Sequence, residues 1–520
     1  TMGARMEDVA ALVAPDQPIT GNIDNIIKFT GTLDNPHAVG YVHFYRGSYA
    51  GAILSGMDGD YFLDNGIIRV QVFHIYSPMV DMVLNGTINT LGLLDFDAEV
   101  RDLDMKRFEH KLPYEVSGHG VFNGKVGGTI SRPIFRGELK ADTIVMNGVE
   151  LREIHSFAHY ENGIIELDET GFRQGTDGSV TARLHYDTAT RALRGTMNID
   201  RMDVQALLAL ANQKEDRLTG QITSVVRLGG TLDNPSISLT GEIAEGSLAS
   251  YPVRDVALDV TLADRVLTVR KLAGEQGGGS FSAVGTVDFD GLANVDVTGT
   301  DIALGIFTRF AGVEEDVTGT TSLTLHIGGH TQNPEADLRM TAKNGGARGA
   351  SFDELTGEAQ LRSSIIHLNN LTVTKYIDGI AYAASAHGTL PLRALTAERS
   401  ENLSAYEEIN LTIALDNADL SLLPVFSDHV EWALGRTEGS LKLHGTLAAP
   451  RLDGTVRVTG GALKIKYLEN PVTDMQIQID ALGDSVVVRS CTGRMGAGSY
   501  MMTGHIELSG VEPTDYDFSL

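Results

Sequence analysis

The sequence predicts an all-β protein with a few short helices: a long, twisted, taco-shaped antiparallel groove built of similar repeats. Three observations predict it. A six-residue phrase recurs at intervals of 97, 102, 99 and 116 residues. Between its copies, apolar and polar residues alternate with a period of two, the pattern of half-buried antiparallel strands. No segment carries an apolar stripe broad enough to cover the face that those strands would present.

The phrase is Gly31-Thr32-Leu33-Asp34-Asn35-Pro36, and it returns unchanged from Gly230 to Pro235. Weaker copies run from Gly128 to Pro133, from Gly329 to Pro334 and from Gly445 to Pro450. A fixed period means stacked units that share one surface, so function is expected to belong to the array. The expected boundaries are 1–30 (the end of a preceding repeat), 31–127, 128–229, 230–328, 329–444 and a truncated 445–520, all forming one continuous groove. The long fourth interval is accounted for by a polar insertion at 393–408, rich in Glu and Arg, which reads as a surface loop.

The unit opening at Gly230 shows the elements most clearly. Ile237 and Leu239 alternate with Ser238 and Thr240, then Val256, Leu258, Val260 and Leu262 alternate with Ala257, Asp259 and Thr261. The cluster Gly277-Gly278-Gly279 marks a tight turn into Phe281, Val287 and Phe289. Val295 and Val297 follow, and Leu323, Leu325 and Ile327 close the unit. Between the last two runs, Ile302, Ile306 and Phe310 recur at helical spacing, which predicts one short helix. Equivalent slots are 5–12, 201–208 and 418–423, with a poorer match at 103–108. The chain is therefore expected to open inside a module, each module holding five or six strands and one helix.

A sheet of this kind has one apolar face, and a face many strands long must be covered. The helices are too short and too few, so the sheet is expected to curl over itself with the help of its right-handed twist. About 25 strands at ~4.8 Å spacing would give an open trough on the order of 100 Å long. The expected lining is Ile237, Leu239, Val256, Leu258, Val260, Leu262, Phe281, Val287, Phe289, Val295, Val297, Leu323, Leu325 and Ile327. A one-residue shift of register would turn any of these strands over. Such a trough suits acyl chains, and a charge at Phe289 or Leu325 is expected to block it.

Composition removes other classes. With 41 Lys and Arg against 68 Asp and Glu, the formal charge is −27, which argues against nucleic acid and against anionic membrane surfaces. The single Cys491 allows no internal disulfide and no multi-cysteine metal site. The 15 histidines are scattered without a metal-ligand spacing, so no metal and no cofactor are expected. His155 and His159, four apart in a strand-like run, are expected on one face but some distance from each other. No Gly-x-Ser-x-Gly elbow occurs, and the glycine cluster lacks the Lys-Ser/Thr ending of a phosphate loop, so no catalytic residues are named and no enzyme is expected.

The Gly-Thr-Leu-Asp-Asn-Pro phrase, the short helix before it and the Gly-Gly-Gly turn resemble the TamB branch of the AsmA-like proteins, over essentially the whole chain. These are repeating-β-groove, bridge-like lipid-transfer proteins. The resemblance implies an inner-membrane anchor, a periplasmic body and a role in carrying phospholipid to the outer membrane of a diderm bacterium. It also implies an outer-membrane partner of the Omp85 type, TamA-like. The anchor is expected in a segment of the parent protein outside this sequence, and a self-contained array is expected to work as a monomer. The alternative reading is a periplasmic scaffold or chaperone for outer-membrane β-barrel assembly, using exposed strand edges for pairing.

Overall fold

The computed structural model describes residues 2–8, 19–32, 36–49, 52–78, 80–89, 91–107, 114–213, 215, 217–310, 317–347, 350–394, 407–423, 429–510 and 512–520. These residues carry 31 strands and a handful of short helical turns. Every strand pair whose register is defined is antiparallel and joins neighbours in the chain, which makes an open meander that does not close into a barrel. Two units are distinguished: residues 1–244 with 261–264, and residues 245–260 with 265–520. The division falls within the strands Pro235–Leu248 and Tyr251–Ala263.

The recurring phrase is a hairpin turn. Its glycine takes a left-handed φ in all five copies: +89° at Gly31, +78° at Gly128 and Gly230, +79° at Gly329 and +96° at Gly445. Leu33, Asp34 and Asn35 of the first copy lie outside the described residues. In the second copy, Thr231 N–H donates to Asn234 O at 3.1 Å, and Asn234 N–H donates to both Thr231 O (3.2 Å) and Thr231 Oγ1 (3.1 Å). The same threonine hydroxyl accepts from Arg132 N at Thr129 and from Ala449 N at Thr446. The proline then opens or nearly opens the next strand, where its missing N–H is harmless; Gly31, Gly128, Gly329 and Gly445 stand opposite Pro36, Pro133, Pro334 and Pro450.

Within each unit, successive copies are six strands apart. In an antiparallel meander turns alternate between the two edges, so an even spacing places all copies in a unit on one edge. The third residue of the phrase has its own task there. Its N–H reaches back to a carbonyl of the preceding turn on that edge: Ile130 to Gly92, Leu232 to Arg191, Thr331 to Gly291 and Leu447 to Glu407, at 2.9–3.2 Å. The repeat signature laces one edge of the sheet.

The helical slots fall on the opposite edge, one strand ahead of each phrase strand. Helix α1 (Val204–Leu210) and helix α2 (Leu304–Phe310) occupy two of them, and 3-10 turns at 105–107 and Leu420–Leu422 fill two more. In the first slot residues 6–8 are helical, and 9–18 lie outside the described residues. The weaker match at 103–108 is thus a single tight turn. The insertion at 393–408 lies mostly outside the described residues, with a 3-10 turn at Leu392–Ala394 before it and a strand from Glu408 after it.

Candidate functional site

Directly opposed residues in an antiparallel pair share a face, so the register can be followed sideways from strand to strand. In the second unit one such row reads Leu272, Ala283, Val297, Leu325, Leu338, Ala359, Leu368, Gly388, Leu411, Leu443, Leu452. All are apolar or glycine, and all are half-buried. The first unit holds a matching row: Tyr61, Val70, Gly86, Phe96, Val126, Phe135, Tyr160, Ile165, Tyr186, Leu193. Val70, Phe96 and Val126 are buried there, with Ala98 in the same cluster. The other face is polar: beside Leu325 and Leu338 it presents Thr324, His326, Asp337 and Arg339.

Several rings lie against glycines of their own or the neighbouring strand. Phe281 covers Gly274, Phe44 covers Gly21 and Gly47, and Phe122 covers Gly124 and Gly137. An aromatic lying over a strand glycine recovers packing that the glycine cannot supply and keeps the face smooth. Phe44 is completely buried by this arrangement.

The expected lining divides into three groups. Phe281, Val287, Val295, Val297, Leu325 and Ile327 share the apolar face and are half-buried. Val256 and Leu323 are sealed, 5% and 4% exposed; Leu323 lies opposite Gly299, where the side chain of Ile302 folds over. Ile237, Leu239, Leu258, Val260 and Leu262 are half-buried on the two strands through which the unit division runs. Phe289 departs from the expectation. It sits past the end of its strand in a turn, its N–H donating to Arg265 O at 3.1 Å and its ring 47% exposed. Alternation continued through a chain reversal, and the period-two rule stopped applying there.

One group of sealed residues lies at the α1 slot. Asp203 caps α1, accepting from Gln205 N–H at 2.9 Å, and the Asp203 N–H donates to Gln174 Oε1 at 3.2 Å. Ile199, Met202, Ile222, Val204 and Leu151 are all buried around it. Helix α1 touches not only its flanking strands but also the strand Val149–Glu161, three strands back. At α2 the Ala303 N–H donates to Gln276 Oε1 at 2.6 Å, and Arg309 stands 5.8 Å over the Tyr251 ring. A helix that reaches several strands back over one face requires that face to be concave locally. Sequence reasoning missed Gln174 and Gln276, although their interval of 102 residues was visible.

Among the described residues no group of three or more His, Cys, Asp or Glu side chains is placed to hold a metal ion. His155 and His159 stand apart, His155 against Gly171 and His159 with its Nδ1 3.3 Å from Glu166 Oε2. His185 approaches the other oxygen of Glu166 at 3.4 Å. Gly277-Gly278-Gly279 is a hairpin turn, with Gly277 at φ +60°. On the polar face the hollows are shallow; one of about 680 Å³ is bordered by Thr298, Thr324 and an Arg339–Glu358 ion pair at 2.8 Å.

No family model matches the chain. A comparison with characterised proteins finds Protein SUBSTANDARD STARCH GRAIN 4, chloroplastic, of Oryza sativa subsp. japonica, 23% identical over 119 residues. The match covers 23% of this chain and 6% of that protein's length.

Proposed function

We propose that the chain is a non-enzymatic, bridge-like carrier that moves phospholipid along its apolar face. The observation that supports this reading best is the unbroken row from Leu272 to Leu452, half-buried and without a second layer over it among the described residues. A conventional core would bury these side chains; here acyl chains complete the burial, at roughly 25 cal/mol per Å² of apolar surface covered. The sequence resemblance to the TamB branch supports the setting: a periplasmic body between inner and outer membranes, an inner-membrane anchor outside this stretch, and an Omp85-type outer-membrane partner. Barrel assembly on strand edges is the weaker reading, because the long feature of each unit is a face.

The test is lipid extraction and mass spectrometry of the purified chain. Wild-type protein is expected to carry phospholipid, and Leu325→Glu to lose at least about tenfold of it with an unchanged circular dichroism spectrum. An ionised carboxylate on that row costs several kcal/mol of lost apolar environment. Phe289→Arg, out in its turn, is expected to retain lipid. Clean protein with no phospholipid and an inert response to Leu325→Glu would overturn the reading.

A further inference from the structure

The two edges of the sheet are held differently. One is laced by backbone hydrogen bonds through the repeat phrase, and the other is overlaid by short helices resting on sealed apolar patches. The strand before each helix breaks its register at the same place: between Ile199 and Met202, and between Gly299 and Ile302. At each break a non-glycine residue adopts the left-handed region, Arg201 at φ +47° and Asp301 at φ +50°. The amide freed from the ladder is taken by a hydroxyl of the next strand: Arg201 N–H donates to Thr223 Oγ1 at 3.2 Å, Asp301 N–H to Ser322 Oγ at 3.0 Å. Such a bulge bends the strand, and two more residues rejoin the ladder before each helix begins, Met202 and Asp203 opposite Ile222 and Gln221, and Ile302 and Ala303 opposite Thr321 and Thr320.

Each helix has seven residues, short of the length that is stable alone in water. The far end of α1 is tied by a side chain from another turn: Asn147 Nδ2 donates to Ala209 O at 3.0 Å while Asn147 Oδ1 accepts from Glu115 N–H at 3.1 Å. At α2 the corresponding tie is Arg309, which donates to Ser250 Oγ at 3.3 Å and lies over Tyr251. The flanking strands are held by ladder hydrogen bonds on both sides of each bulge, whereas the helices are joined to the sheet by a glutamine, a distal side chain and the buried Val204, Ala206, Leu304 and Ile306. Local opening follows the weakest contacts first.

We propose that α1 and α2 are lids, hinged where the strand passes into the helix at Asp203–Val204 and Ala303–Leu304, whose lifting opens sealed patches of the apolar face to acyl chains. Under α1 the patch is Ile199, Met202 and Ile222, on the same face as the half-buried row. This rests on the lipid-carrier reading, which it extends by naming the elements that move.

Hydrogen–deuterium exchange on the whole chain tests it, with diheptanoylphosphatidylcholine below its micelle concentration as probe. The amides of α1 are expected to exchange at least about tenfold faster than those of Leu193–Asp203 and Leu218–Gly230, and about fivefold faster again with the probe present. Asn147→Gly, which keeps the left-handed backbone but removes the tie, is expected to speed α1 alone by a similar factor. Helix amides that exchange only in step with both strands, or that ignore the probe, overturn the lids. Native mass spectra of the same samples separate the two ideas. Bound phospholipid with α1 locked sinks the lids alone, whereas early opening with no phospholipid bound sinks the carrier reading on which they rest.

Discussion

At the residue scale, the polar face carries cross-strand pairs in which a carboxylate meets Arg, Lys or His. His119 Nδ1 lies 2.6 Å from Asp102 Oδ1, and this hydrogen bond, reinforced by the carboxylate's charge, raises the histidine above its ordinary range. A raised histidine contributes stability that is fully present below the unfolded value, near 6.5, and is lost as pH rises through the folded value. Asp102→Asn is therefore expected to lower the His119 titration midpoint in NMR and to flatten the decline in melting temperature between pH 6 and 8. A midpoint unchanged by the substitution would refute the pairing. Carboxylates act in the opposite sense: Arg362 donates to both oxygens of Asp337 at 2.8 Å and holds it below its usual range, a contribution that fades only as acid protonates it. On the apolar face the corresponding case is Tyr500, pushed up by burial with its hydroxyl 3.8 Å from Cys491 Sγ.

At the element scale, the repeat phrase does three jobs, of which the sequence disclosed one. A turn was legible in Gly, Asp, Asn and Pro because each of those residues has a local conformational cause. That the third residue's N–H ties down a distant turn was not legible, since its backbone partner lies some 40 residues earlier, as with Leu232 and Arg191. Gly230 sits at φ +78°, and a Cβ there would press on the Asn234 carbonyl. Gly230→Ala is expected to cost about 1–2 kcal/mol, measured by urea denaturation, whereas Gly278→Ala, at an open turn position with nothing near its Cβ, is expected to cost far less. Equal losses at both sites would mean that turn conformation is not what the phrase protects. The helical slots were legible from the spacing of Ile302, Ile306 and Phe310; the bulges before them were not, because period-two counting has no term for an extra residue.

At the scale of the whole molecule, two units repeat one design: a laced edge, an overlaid edge and an apolar face between them. Within each unit the face combines sealed patches, such as Ile199 and Met202 in the first and Leu323 and Val256 in the second, with half-buried rows that include Leu325 and Ile327. Native protein is accordingly expected to brighten Nile red, a neutral dye suited to a chain of charge −27, and added phospholipid to displace it. Dye binding that appears only on unfolding would show that the half-covered rows are closed in solution.

What the sequence determined by itself was periodic: strand class, repeat length, turn chemistry and the apolar parity of most lining residues. Each follows from steric and solvation rules acting over a few neighbouring residues, so one strand at a time suffices to read them. Tertiary structure alone decided which apolar residues are sealed, which edge is laced, and that Phe289 turns away. Those outcomes depend on partners brought together from distant turns and strands, and the free energy of burial belongs to the meeting of surfaces, which no local pattern encodes.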